Sequence, residues 1–537
     1  MLKAPTRVFQ VPELIYQIST HIDPIHAVNL LTVSRISFSA TVPRVWETVL
    51  GATSLLQFLP CQISNEIIEI DDLLYSGSFT FENPPSESDF NRFNVYAPYV
   101  KHLYLFELEN DLKLTYGWDI IVDYAASHTL LPNLVTLSLE PPHKLCWHIL
   151  PYPWVLVFSS PKLKSLSIGA SLGEFSPRAG SGLCHLLAER CPNLTALEFH
   201  GLLAEELESE QDKYFTQQSG EIDHIPDVLR PGSSLQRLSA NVCFLNKYIS
   251  LISQMHNLRS LKLCDTECWD LIPTPTSLSS GSFPTLTEFA LEKPDVLMAG
   301  SVWEHIPVLF TGLSKLECRF DSTPYCGRHY EPISSFPLRF ATMLNDKSPN
   351  ITDLTIHFNY EDCYITTERL TVNEHTLLML AKLPLRRLSV ESIPICIRGS
   401  RTTSSMCWLL AHTFPDLEVL RWTSQPANCE DLHAFAGMPN LQYLGLYTIA
   451  REGGTKNLAL EYPEIRKCPE RPLRTFESHV GTGGWLYSVG YIARIWPNIR
   501  MIPPRFQDPF LRKEDNARVK DRYKFINGFV ALNRDST

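Results

Sequence analysis

One pattern recurs along this chain: a proline or other breaker, a polar residue, then Leu-x-x-Leu-x-Leu. It is plainest at Pro132-Asn133-Leu134 with Leu137 and Leu139, at Pro161-Lys162-Leu163 with Leu166 and Ile168, and at Pro192-Asn193-Leu194 with Leu197 and Phe199. Counting weaker copies, units start at 100, 134, 163, 194, 235, 258, 286, 313, 351, 385, 417, 441, 473 and 499, a mean spacing of about 31 residues. Few folds tolerate such a pattern. In Leu137-Ser138-Leu139 alternate residues share one face of a strand, so both leucines point inward and Ser138 outward. The proline ahead of each motif ends the preceding helix, since it cannot donate to a ladder. Helical stretches such as GLCHLLAERCPNL, SMCWLLAHTFPDL and WLYSVGYIARIWPNI lie upstream of several copies. Each unit is expected to run helix, turn, short strand. None can bury its apolar face alone, so neighbours must stack. A buried Leu or Ile contributes roughly 1.5–3 kcal/mol to that stacking.

A different module precedes the array. Pro12 and Glu13 suit the first turn of a helix, and Leu14, Ile18 and Ile22 fall four apart with Ile15 beside them. Asp23-Pro24 reads as the cap and first residue of a second helix carrying Ala27, Val28, Leu30 and Leu31; Ser34 caps a third that ends near Pro43. Three short helices bury too little surface to stand alone, which predicts a partner for their surplus apolar faces. The chain of 537 residues then divides as 1–50 helical module, 51–98 acidic connector that includes a degenerate first repeat or none, 99–502 irregular repeats and 503–537 closing cap or tail. Residues 61–98 hold seven acids against one base, Arg92, and 203–229 form a second acidic polar stretch read as a solvated loop.

The repeats resemble the leucine-rich-repeat family, closest at Cys191-Pro192-Asn193-Leu194, which is similar to the cysteine-containing subtype. Spacing from 23 to 41 residues and the scarcity of the usual Asn or Cys after the strand depart from that family. VPELIYQISTHI, then NLLTVSR, then Pro43-Arg44-Val45-Trp46 resemble the F-box, with Val11 for the leading Leu and Ser37-Phe38 where Trp is common. The resemblance implies an α/β chain: an N-terminal three-helix F-box followed by a curved leucine-rich-repeat solenoid with a parallel concave sheet and convex helices. It also implies a substrate receptor of a Skp–cullin–F-box ubiquitin ligase. Pro12, Leu14, Ile15, Leu30, Leu31, Val33 and Trp46 would then form or support the surface for the Skp-type adaptor, with cullin joined through it and a protein substrate on the repeats. A leucine-rich-repeat interaction scaffold uncoupled from ubiquitination is the other expectation.

The formal net charge of −11 argues against a chain-wide nucleic-acid surface. No apolar run reaches a membrane span or a signal-peptide core, and fourteen cysteines are too sparse for a disulfide scaffold, so a cytoplasmic or nuclear location is expected. The sequons Asn193-Leu194-Thr195 and Asn350-Ile351-Thr352 read as chance matches. Walker, CxxC and HExxH motifs are missing; Cys264-x-x-x-Cys268 lacks a second half, and Gly169-Ala170-Ser171-Leu172-Gly173 lacks the helix that a nucleophile elbow needs at once. Neither an enzyme nor a cofactor or metal site is expected. Strand alternation places Arg421, Tyr443, Tyr447 and His479 on the outward sheet face, with Arg421 beside Tyr443 and Tyr447 near His479. That makes them the expected substrate contacts, since Arg and Tyr dominate binding hot spots.

Overall fold

A computed structural model describes residues 10–59, 62–64, 68–70, 73–75, 78–81, 86–105, 114–116, 118–140, 151–169, 177–199, 227–264, 278–279, 281–292, 302–321, 336–359, 371–392, 395, 403–427, 429–448, 473–478, 492, 495–496, 499–502, 524 and 527. The chain forms two compact units, residues 1–276 with 281–285, and residues 277–280 with 286–537.

The first unit opens with α1 (Pro12–His21) and, after a short turn of helix at Pro24–Ala27 and a 3-10 turn at Val28–Thr32, α2 (Arg35–Val45). Pro12 takes the first helical turn of α1, where its missing N–H is harmless. Ser34 caps α2 as expected, its side chain accepting from the Ser37 amide at 3.0 Å. The helix runs past Pro43 to Val45 rather than ending at the proline. The interior face of α1 differs from the expected line. Ile15 and Ser19 are buried, Ile22 is half-buried, and Leu14 and Ile18 are exposed. Burial of Ser19 is possible because its hydroxyl donates to the Tyr16 carbonyl at 2.7 Å.

A parallel sheet follows in the order β1 (Thr48–Leu50), β2 (His102–Tyr104), β3 (Thr136–Leu139), β4 (Ser165–Ile168), β5 (Ala196–Phe199), β6 (Arg237–Asn241) and β7 (Ser260–Cys264). The leucine-repeat strands fall where the motif places them, in unbroken register: Leu103, Leu137, Leu166, Leu197, Leu238 and Leu261 form one buried row. β1 has no such motif and was not expected; it joins the sheet directly after α2. Between β1 and β2 the acidic segment holds further strands. Gln62–Ser64 pairs antiparallel with Ser78–Thr80, which pairs parallel with Leu114–Tyr116, and Ile68–Ile70 forms a hairpin with Leu73–Tyr75. Helices α3 (Trp118–Ser127), α4 (Pro151–Phe158), α5 (Pro177–Arg190) and α6 (Val242–Ile252) connect strands along the leucine face, where Phe199 of β5 meets Phe244 of α6.

The second unit repeats the plan with β8 (Glu288–Glu292), β9 (Lys315–Asp321), β10 (Asp353–Asn359), β11 (Arg387–Glu391), β12 (Val419–Ala427), β13 (Tyr443–Thr448), β14 (Thr475–Ser478) and β15 (Arg500–Ile502), all parallel. Helices α7 (Phe336–Lys347), α8 (Glu374–Leu380) and α9 (Thr403–Thr413) cover its leucine face. Aromatics thicken this core: Trp303 stacks on Phe310 at 4.0 Å, and Phe320 on Phe358 at 4.6 Å. Among the described residues no helix is long and apolar enough to cross a membrane.

Candidate functional site

Two surfaces bear on function. The first is the N-terminal helical module. Fourteen large apolar side chains are exposed among the described residues, and seven of them, Val11, Leu14, Tyr16, Ile18, Val28, Val33 and Ile36, fall within residues 11–36. Leu14 and Ile18 lie four apart on one line of α1, and Val11 sits at the N-cap just before it. Water-facing apolar side chains this dense in so short a segment mark a contact surface.

The expected adaptor residues divide in two. Leu14 (46% exposed) and Val33 (51%) face solvent, Pro12 is exposed, and Leu30 and Leu31 are half-buried beside them. Ile15 is fully buried and holds α1 on α2. Trp46 faces inward to an aromatic group, its ring 4.6 Å from Tyr96 and 5.7 Å from Phe58, and Arg92 lies 4.8 Å over Phe58. Its place is the joint between the helices and the sheet. Ser37 is buried and donates to the Leu30 carbonyl at 2.6 Å, which fixes the turn that presents Val33.

The second surface is the outward face of the sheet in the second unit. Here the register corrects the expected pairing: Arg421 lies opposite Gly445, and Val419 opposite Tyr443. Gly445 in turn faces Glu477, so the glycine leaves a gap through which Arg421 reaches a carboxylate two strands away. The guanidinium binds Glu477 through two bonds of 2.9 Å, and Tyr443 donates its hydroxyl to the same carboxylate. Arg421 also pairs with Glu391, whose other neighbour, His357, stands 3.7 Å away. Burial, with Arg319 and Arg421 adding to it, holds the His357 imidazole below its usual pKa. With Arg421 only 9% exposed and Glu477 1%, this cluster is an internal brace and not the open Arg–Tyr pair expected from alternation. Tyr447 is exposed, opposite Pro426 where β12 bulges; His479 lies outside the described residues. The repeat phase already carried this match, since Arg421, Gly445 and Glu477 each lie four residues after the first Leu of their motif; pairing by nearness along the face instead of by phase set Arg421 beside Tyr443.

No family model and no curated protein sequence matches the chain. Among solved structures, a TLR13–ssRNA13 complex matches over 82% of this chain and 67% of that one, at 13% identity and a TM-score of 0.33. The yeast complex of Rad7 and Elc1 matches over 85% of this chain and 92% of that one, at 13% identity and a TM-score of 0.31. Likeness at that level carries no functional argument, and the repeat architecture rests on the strand register itself.

Proposed function

We propose that this protein is a non-catalytic substrate receptor of a Skp–cullin–F-box ubiquitin ligase. The N-terminal module docks a Skp-type adaptor and through it a cullin, and the repeats hold a protein substrate. The observation that carries the reading is the crowding of exposed apolar side chains into residues 11–36, in the same segment whose sequence resembles the F-box. A receptor of this kind works by proximity. It raises the effective concentration of substrate near a ubiquitin-charged enzyme and needs no chemistry of its own.

Co-purification of the full chain with a Skp-type adaptor tests this. Leu14→Asp and Val33→Asp are expected each to reduce capture more than tenfold with the fold intact, because an unpaired carboxylate in a dry apolar contact costs several kcal/mol. Ile15→Asp is expected to unfold the module itself. Undiminished capture by the Leu14→Asp, Val33→Asp double variant would overturn the adaptor surface. Failure of the wild type to bind any Skp-type adaptor would leave an interaction scaffold uncoupled from ubiquitination.

A further inference from the structure

The last strand of the second unit, β15, has β14 on one side and, among the described residues, no further strand on the other. An edge of this kind offers its backbone groups to any extended segment that reaches it. The Arg500 amide bonds the Arg474 carbonyl, just before β14, at 2.8 Å. Alternation along the strand then turns the backbone groups of Arg500 and Ile502 toward β14 and those of Met501 outward. On either side of Met501 the chain leaves no outward donor. The Ile499 amide bonds the Trp496 carbonyl at 3.2 Å, and Pro503 has no amide hydrogen. Among the described residues, the Met501 N–H is therefore the one donor that this edge presents.

Asn527 takes that donor together with the acceptor of the same residue. Its side-chain oxygen accepts from the Met501 amide at 2.8 Å, and its side-chain nitrogen donates to the Met501 carbonyl at 2.9 Å. One orientation of the amide satisfies both bonds; the other would set N–H against N–H and oxygen against oxygen. The asparagines at the repeat junctions do less, since Asn133, Asn193 and Asn257 each bond one backbone carbonyl. In an antiparallel ladder two facing residues exchange both of their N–H···O bonds. Those are the two bonds that Asn527 supplies, so its side chain stands where one residue of an added strand would stand. A second copy of β15 meets the same requirement by two-fold symmetry. Met501 would then face Met501 and Arg500 would face Ile502, so that no like charges stand directly opposite.

We propose that Asn527 is a pin: it occupies the terminal edge of the sheet in place of a strand and keeps two copies of this chain from joining at β15. Release of the pin frees one donor and one acceptor, both on Met501, for a second copy to take. The proposal goes beyond the receptor reading and does not rest on adaptor docking.

The test compares the full chain with its Asn527→Ala and Asn527→Asp variants. Hydrogen–deuterium exchange reads the Met501 amide, and sedimentation velocity reads association from low to high micromolar protein. The wild type is expected to stay monomeric with that amide protected. In dilute solution Asn527→Ala should exchange it at least fivefold faster, the factor that one ordinary hydrogen bond supplies. At high concentration the same variant should form a dimer in which the amide is protected again. Asn527→Asp keeps an acceptor for the amide but turns a carboxylate toward the Met501 carbonyl, so both readouts should fall between the other two; it carries the test if the alanine variant melts well below the wild type. Equal exchange at Met501 in all three proteins overturns the pin. So does a wild type that dimerises as readily as the alanine variant. An Asn527→Ala chain that keeps its fold and stays monomeric at every concentration overturns the proposal, as does a dimer that leaves the Met501 amide fast, because its contact then lies elsewhere.

Discussion

At the scale of single residues, Gly445 sets the arrangement of the second unit's sheet face. A Cβ at that position would lie 3.0 Å from the Arg421 Cγ, in the space that the arginine crosses to reach Glu477. Alternation along a strand fixes a face but is silent on which residues of different strands meet, and here Glu477 takes both Arg421 and Tyr443. Because Glu477 is almost fully buried, removing its cation is more harmful than losing an exposed ion pair. Arg421→Ala is expected to destabilise the protein by about 3–5 kcal/mol in urea titrations. A change under about 1 kcal/mol would mean that the carboxylates find water or another donor once the arginine is gone. The buried thiols give a second test. Burial pushes Cys184 and Cys407 up to about 12 and Cys191 up to about 11. A thiol whose folded pKa lies above its unfolded value favours folding fully below the unfolded value, near 9, and loses that contribution as pH rises through the folded one. These three are therefore expected to resist thiol reagents at pH 8 until the chain unfolds, and stability to fall from about pH 9 upward. Fast native-state labelling of Cys184 would contradict its burial.

At the scale of elements, the polar residue ahead of each leucine turns out to stitch one repeat to the last. Asn133 donates its side-chain amide to the Pro98 carbonyl at 2.7 Å, Asn193 to Pro161 at 2.9 Å and Asn257 to Ser233 at 2.8 Å. Ser234 and Thr285 make the equivalent bond with hydroxyls, to Pro192 and His256. The role was missing from the sequence reading because the residue type varies while the geometry does not. Each such bond stabilises by about 1 kcal/mol, so Asn193→Ala and Asn257→Ala should each lower the unfolding free energy by about that amount, additively, since the two sit in different junctions. Markedly less than additive loss would show that adjacent junctions share strain. The strands with Leu-x-x-Leu-x-Leu were legible because two or three leucines in fixed phase leave one inward face. β1 was not, because Val49 is its one buried side chain and three residues show no period. In α1 the buried line runs through Ile15 and Ser19, and a serine gives periodicity no apolar signal, so the Leu14–Ile18–Ile22 stripe stood out instead.

At the scale of the molecule, β1 determines how the helical module and the repeats depend on each other. The Glu47 carbonyl accepts from the Lys101 and His102 amides, and Gly51 donates to the Tyr104 carbonyl, so β1 closes one long edge of β2. Trp46 and Phe58, on either side of β1, pack around Tyr96 at the start of the repeats. A truncation that removes α1 and the turn after it but keeps α2 and β1 uncovers mainly the small α2 side chains Ser37, Thr41 and Val42. Removal of residues 1–60 instead strips β1, Trp46 and Phe58 together, leaving β2 with unpaired backbone groups above the apolar rings of the joint. An open strand edge beside exposed aromatics promotes edge-to-edge association. Chains lacking residues 1–34 are therefore expected to run as monomers on size exclusion and to melt within about 5 °C of the full protein. Chains lacking residues 1–60 are expected to aggregate or to melt well below that. Equal solubility and equal melting of the two truncations would show that the repeats close their own edge at β2 and that β1 belongs to the helical module alone.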